Sequence, residues 1–263
     1  MAGTIIFTGA NSSLGIPAAE HILRLYPQHT AIFTVRDDST SDPNTRKLRE
    51  TIARYPQAKA SVHALDLASL SSTHAFADTV ISGIKSGQYP PLTAIVCVAY
   101  YWNLVGDPEP TADGYDKTFQ VSHISHAALV LRLLGSFGPT GRVVLLSSDS
   151  HWPGKNAMEK YPPSIPSDLE LLVKPSVDDD KMGRGYQRYA TAKLAITTWM
   201  YALNEHLQKD PILKNITAVA INPGNLVDSR ALRSNTPRSM SLMQTFVYKP
   251  LLPVLKLSMG PTS

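Results

Sequence analysis

Short runs of β-branched and aliphatic residues alternate with stretches of helical periodicity along most of the chain. The apolar runs predict strands near 4–8, 31–36, 60–66, 93–99, 142–147 and 216–221. A 3.6-residue repeat of apolar positions predicts helices near 15–26, 44–55, 70–86, 113–135 and 187–208. Strands and helices in strict alternation form βαβ units, so the expected class is α/β, with a parallel sheet covered on both faces. Ligands of doubly wound sheets gather at the carboxyl ends of strands. The positions to read for chemistry are therefore Gly9, Arg36, Asp66, Ala99, Ser148 and Asn222-Pro223-Gly224.

Two regions depart from the alternation within what reads as one domain over 1–263. The segment 149–188 carries Pro153, Pro162, Pro163, Pro166, Pro175 and the run Asp178-Asp179-Asp180, and it is expected to form a lid-like insertion. The segment 225–263 is a substrate-side tail whose Met243, Phe246, Val247, Leu251, Leu252 and Leu255 are interrupted by Pro250 and Pro253. Those prolines exclude a transmembrane helix. The tail is expected to fold over a pocket beside Ala231 and Leu232, with a homodimer contact or peripheral membrane attachment as the rivals.

At 263 residues with 43% hydrophobic positions, the chain is long enough for one large core. Its formal charge of +4 never gathers into a basic run, which makes nucleic acid a poor partner. Cys97 is the single cysteine, so an internal disulfide is excluded and a reducing compartment is expected. The strand-like run Thr4-Ile5-Ile6-Phe7-Thr8 begins almost at once, leaving no room for a signal peptide, and a cytoplasmic location is expected. No spacing of His, Cys, Asp or Glu suggests a metal site.

The most informative residues are Tyr189 and Lys193, one helical turn apart. With Ile196, Met200, Leu203 and Leu207 they form the inward stripe of an amphipathic helix. An ammonium on a buried stripe needs a reason, because desolvating it is costly. A cation beside a phenol favours phenolate, so Tyr189 is expected to titrate below the usual value of about 10 and to serve as an acid or base. After the first strand, Thr8-Gly9-Ala10-Asn11-Ser12-Ser13-Leu14-Gly15 forms a turn opening a helix, where amides and the helix dipole favour a phosphate.

With Ser148 added, this combination resembles the short-chain dehydrogenase/reductase family over about residues 3–230. Thr8, Gly9 and Gly15 match the family's TGxxxGxG turn, Asp66-Leu67 its adenine-binding pair, and Ser148, Tyr189 and Lys193 its catalytic residues. Asn222-Pro223-Gly224 matches the turn beside the nicotinamide. The resemblance implies a Rossmann-type sheet of order 3-2-1-4-5-6. It also implies a dinucleotide held by Thr8, Gly9, Asn11, Ser12, Ser13, Leu14, Gly15, Arg36, Asp66, Leu67, Ala99, Tyr189, Lys193, Pro223 and Gly224. Arg36 directly after the second strand favours NADP over NAD, unless it is paired with Asp37 or Asp38.

Three positions depart from the family pattern. Cys97-Val98-Ala99-Tyr100 replaces NNAG, removing polar side chains that brace adjacent strands; Ser122 stands at the helical asparagine of the catalytic tetrad; and Ser13 replaces a glycine of the phosphate turn. Tyr100, Tyr101, Trp102 and His151-Trp152 crowd the expected pocket, while His123 and His126 read as structural. The expected function is NADP-dependent interconversion of a ketone and an alcohol on a fairly large apolar, aromatic or polyketide-like molecule. The resemblance is nearest to the retinol-dehydrogenase-like or fungal secondary-metabolism branches. Two alternatives stay open: a cyclase, dehydratase or isomerase using Tyr189 as acid or base, and a cofactor-binding protein that has lost turnover.

Overall fold

The computed structural model of the chain describes residues 2–224, 226 and 229–251. Six strands, β1 Thr4–Phe7, β2 Thr30–Val35, β3 Lys59–Ala64, β4 Leu92–Cys97, β5 Phe137–Leu146 and β6 Ile216–Ile221, form one sheet of order β3-β2-β1-β4-β5-β6. Every pairing is parallel. The direction of winding reverses between β1 and β4, which opens a crevice at their carboxyl ends.

Successive side chains of a strand point to opposite faces, and both faces here are covered. Ile6 and Ile32 pack with Val80 of α3 Leu70–Lys85, Leu129 of α5 Ser125–Leu133 and Ile196 of α7 Lys181–Lys209. Their sequence neighbours Phe7 and Phe33 turn the other way, onto Leu23 of α1 Gly15–Leu25 and Leu48 of α2 Pro43–Ala53. Continuous apolar strands are thus explained by two-sided burial rather than by alternation.

Three elements differ from the sequence expectation. The helix expected over 113–135 begins only with α4 Lys117–Phe119, because Asp116 caps it by accepting from the Phe119 amide at 3.1 Å. It then widens into a π turn over Gln120–Ile124 before continuing as α5. Strand β5 starts earlier than the apolar run, since Phe137 pairs with Leu92 and Arg142 with Ala94 across a bulge. Helix α7 begins at Lys181, not 187. Asp180 caps it on the Gly183 amide at 3.0 Å, so the glycines that made 181–188 look like loop lie inside the first turns.

Between β5 and α7 the chain forms a 3-10 turn at Asp149–His151 and the short helix α6 Glu170–Val173. After β6 come a further 3-10 turn over Arg230–Arg233, helix α8 Arg238–Met243 and a π turn over Gln244–Tyr248. Met240 packs toward Leu104 and Tyr186. The expected coverage of the tail's apolar side chains does not hold for Met243, Phe246, Val247 and Leu251, which are exposed, Phe246 at 72%. Leu252, Pro253 and Leu255 lie outside the described residues. No helix among the described residues is long and apolar enough to cross a membrane.

Gly185 lets α7 lie against the segment after β4: a Cβ there would meet the Asn103 carbonyl oxygen at 2.1 Å and the Leu104 Cα at 3.0 Å. Both are backbone atoms that cannot swing aside. Gly185→Ala should therefore lower stability by about 1–3 kcal/mol despite alanine's better helix propensity. The shift of the urea unfolding midpoint checks this; an unchanged or raised midpoint would contradict the close approach.

Candidate active site

A cleft of about 590 Å³ runs along the carboxyl ends of the strands. Its lining includes Gly9 after β1, Arg36 after β2, Asp66 after β3, Tyr100 after β4, Ser148 after β5 and Pro223 after β6. The crevice where the winding reverses thus gathers the residues that the sequence singled out.

The turn after β1 is built for close approach. Gly9 has φ of 64°, and a Cβ there would press on the backbone of Ala99 at 3.0 Å. Gly15 opens α1 beneath it; its amide donates to the Ser12 hydroxyl at 2.9 Å, and a Cβ would strike the Gly9 carbonyl oxygen at 2.4 Å. Asn11 reaches the other way, donating to Thr45 Oγ1 at 3.0 Å and so tying the turn to α2. This cradle, closed to side chains from below and ending on a helix N-terminus, fits a pyrophosphate.

Thr8 supplies the bracing that Cys97-Val98-Ala99-Tyr100 lacks. Its hydroxyl accepts from the amides of Val98 at 2.9 Å and Ala99 at 3.2 Å. With both acceptor sites used, its proton is directed to His126 Nε2 at 3.0 Å. His126 is therefore the tautomer protonated on Nδ1. Burial holds its pKa down at about 3, so it stays neutral, in keeping with a structural histidine.

Tyr189, Lys193 and Ser148 line the same cleft. Lys193 is 2% exposed and donates to the Leu146 carbonyl oxygen at 2.7 Å. Desolvation pushes its pKa down to about 7, with only the Cys97 thiol pulling it back. Its ammonium lies 5.6 Å from the Tyr189 ring centroid and 5.4 Å from that of Tyr100. The expected lowering of the Tyr189 pKa is not found. Burial raises it, Tyr100 adds to the rise, and a hydrogen bond with Ser148 opposes it only in part. The reason is geometric: the lysine is directed to a backbone carbonyl and meets the tyrosine over its ring.

Ser148 stands in extended backbone just before the 3-10 turn, where its oxygen accepts from the Ser150 amide at 3.2 Å and its hydroxyl donates to Asp149 Oδ1 at 3.1 Å. Ser122, at the position of the family's helical asparagine, turns its side chain to the segment after β4. Its hydroxyl donates to the Tyr101 carbonyl oxygen and accepts from the Tyr101 amide, each at 3.3 Å. Tyr100, Tyr101 and Trp102 do line the cleft, and Tyr189 packs on Trp102 and Tyr100 with centroids at 5.3 and 5.7 Å. Trp152 does not; it is 61% exposed beside Lys155.

The cofactor-side residues Asn11, Ser12, Ser13, Leu14, Leu67, Ala99 and Gly224 also line the cleft. Asp66 turns one oxygen onto the Ala68 amide at 2.9 Å. Arg36 is exposed and, among the described residues, has no acid within 4.0 Å, so the pairing with Asp37 or Asp38 does not occur. Three of the lining residues that escaped the sequence reading bear on the chemistry. Tyr186 carried the signal of helical spacing, three residues before Tyr189, while Asp149 and Arg230 carried none beyond adjacency to motif residues.

A short-chain dehydrogenase of Talaromyces variabilis is 30% identical over 289 aligned residues, covering 96% of this chain and 77% of that protein. The chain belongs to the short-chain dehydrogenase/reductase family. A short-chain dehydrogenase of Aspergillus sclerotiorum is also 30% identical, over 84% of this chain and 61% of its own length. The chain spans about half of some other relatives, such as the WW domain-containing oxidoreductase of Drosophila melanogaster, at 51%. No protein-family model matches the chain. Among solved structures, a metagenomic short-chain oxidoreductase in complex with NADP superposes with a TM-score of 0.58 at 17% identity, covering 94% of this chain and 92% of that one. NADPH-bound carbonyl reductase from chicken fatty liver gives the same TM-score and identity over 85% of this chain and 79% of its own.

Lys193 also sets a pH signature. In the unfolded chain it keeps the ordinary value of 10.5, while in the fold it titrates at about 7. Above about pH 7 the unfolded state therefore binds more protons, and stability rises with pH by up to about 1.4 kcal/mol per unit. Cys97, raised to about 12 from an ordinary 9.0, acts oppositely once the unfolded thiol ionises. Relative to Lys193→Met, the native protein should gain stability between about pH 7 and 8.5. Denaturant titrations of both proteins across that window check it; parallel curves would contradict the buried ammonium.

Proposed function

We propose that the chain interconverts a ketone and an alcohol on a sizeable apolar, aromatic or polyketide-like molecule, with NADP(H) as its dinucleotide. The observation that carries this reading is the meeting of Tyr189, Ser148 and Lys193 in one cleft with the glycine turn and the unpaired Arg36. When bound, the cofactor supplies or takes the hydride. Gly9, Ser12, Ser13, Leu14 and Gly15 would hold its pyrophosphate, Asp66 and Leu67 its adenine, Arg36 its 2′-phosphate, and Pro223 and Gly224 the nicotinamide end.

The chain's own part is proton handling and orientation. A phenol raised by burial stays protonated at neutral pH, which suits Tyr189 to donate from its hydroxyl to a carbonyl oxygen. Ser148 holds that oxygen once its proton leaves Asp149 Oδ1. Lys193, with its pKa near 7, can change its protonation state near neutral pH. The apolar preference follows from the wall of Tyr100, Trp102, Met158, Tyr186 and Leu232.

Tyr100 favours a second reading. Its ring stands against both Tyr189 and Lys193, where the family has glycine, and such crowding suits a protein that binds the dinucleotide without turnover. Non-redox acid–base chemistry at Tyr189 is the other alternative. A nicotinamide absorbance change on adding carbonyl compounds separates redox turnover from both.

Tyr189→Phe should reduce turnover at least about a hundredfold while leaving cofactor affinity within about twofold, because only the transferable proton is lost. Steady-state rates beside fluorescence titration of NADPH test this, and retained activity overturns it. The unmutated protein should bind NADPH more tightly than NADH. Arg36→Ala should shrink the gap by about tenfold or more, the loss of a charge-assisted bond worth about 1.5–3 kcal/mol. Equal affinities before mutation would contradict the cofactor choice.

A further inference from the structure

Arg230, the first residue of the 3-10 turn after β6, reaches across to the turn after β1, 217 positions away in sequence from Ser13. Its backbone amide donates to Ser13 Oγ at 3.1 Å, its Nε donates to the same oxygen at 3.3 Å, and its Nη2 donates to the Asn11 carbonyl oxygen. Ser13 is the residue that replaces a family glycine, and both acceptor sites of its hydroxyl go to Arg230. Without that hydroxyl the contact would reduce to one hydrogen bond.

The charge is placed awkwardly for a protein with nothing in the cleft. Desolvation lowers the Arg230 pKa, and among the described residues the acid that opposes this is Asp42, itself engaged by the amides of Asn44 at 3.0 Å and Thr45 at 2.6 Å. Among the described residues no carboxylate lies within 4.0 Å of the guanidinium, and its Nη1 has no acceptor. It stands beside the start of α1, an eleven-residue helix whose N-terminal dipole repels a cation. A half-buried cation, a positive helix end and unused N–H donors around one lining share a need for an anion between them.

We propose that Arg230 is a pyrophosphate-binding residue, held over the phosphate turn by Ser13, through which the segment after β6 grips the dinucleotide. The proposal rests on the cofactor reading above and adds to it the residue that supplies charge to a turn short of glycine. A planar guanidinium offers two parallel N–H bonds to phosphate oxygens. The amide bond to Ser13 keeps the backbone of the segment in place while the side chain shifts from the Asn11 carbonyl to phosphate. The site thereby joins the substrate-side wall, through Ala231 and Leu232, to cofactor occupancy.

The experiment titrates NADPH, NADH and adenosine 2′-phosphate, which lacks the pyrophosphate, against the full chain and its Arg230→Gln, Arg230→Lys and Ser13→Gly variants. Calorimetry measures binding, and circular dichroism verifies folding. Arg230→Gln should weaken NADPH and NADH alike by about tenfold or more, leave their ratio unchanged and leave adenosine 2′-phosphate within about twofold. Arg230→Lys, keeping the charge without the fork, should fall between. Ser13→Gly should weaken NADPH in the native background and have no further effect beside Arg230→Gln. Unchanged NADPH affinity in a folded Arg230→Gln protein, or an equal loss for adenosine 2′-phosphate, overturns the Arg230 assignment while leaving the cofactor reading intact. Failure of the unmutated chain to bind either dinucleotide overturns both.

Discussion

The hydroxyl of Thr8 holds together the seam on which the cleft depends. Strands β1 and β4 are adjacent in the sheet but separated by three helices and two strands in sequence, and their diverging ends must be kept close for a crevice to have a fixed width. One buried oxygen does this by accepting two amides of the β4 end and donating to an imidazole on α5. Because that hydroxyl is fully buried, losing a partner would leave polar groups unsatisfied in a dry interior, at about 1–3 kcal/mol each. The arrangement also explains how the segment after β4 can be apolar. The bracing has moved off that strand onto its neighbour and a histidine.

A second constraint follows from the sheet's two-sided burial. Helix α7 must cross the core face while presenting Tyr189 to the cleft, so Lys193, one turn on, is carried inward with Ile196 and Leu203. The ammonium finds a carbonyl at the end of β5, two residues before Ser148, and so links the helix to the strand that carries the serine. Burial, which disfavours the charged form of each group, sets their opposite pKa directions.

Much of this was legible from periodicity, because elements buried on two faces leave unmistakable apolar runs and the chemistry follows at their carboxyl ends. All six strands could be read this way, whereas the sheet order and the grouping of Ser148, Tyr189 and Lys193 were implied by the family resemblance. What could not be read depends on small atoms in three dimensions. Gly185 looks like a loop residue until the backbone of Asn103 is found against the helix. The Tyr189 titration depends on how deeply the phenol is buried, and the contacts of Ser122 on Tyr101, 21 residues away in the chain. Arg230 lies far in sequence from the turn it touches, and no periodicity links them.

The π turn at Gln120–Ile124 has a consequence for how this region of the chain can vary. A wide turn inserts one residue into a helix, about 100° of rotation, so everything downstream is phased by it. His126, Leu129, Val130 and Leu133 reach the core only with that offset in place. Deleting any single residue between Gln120 and Ile124 would rewind the helix to ordinary pitch and swing that whole stripe toward solvent, taking the imidazole away from Thr8. Substitutions there act locally, whereas a change of length by one acts as a rotation of the entire helix, and the seam between β1 and β4 would lose its pin from a lesion that touches neither strand.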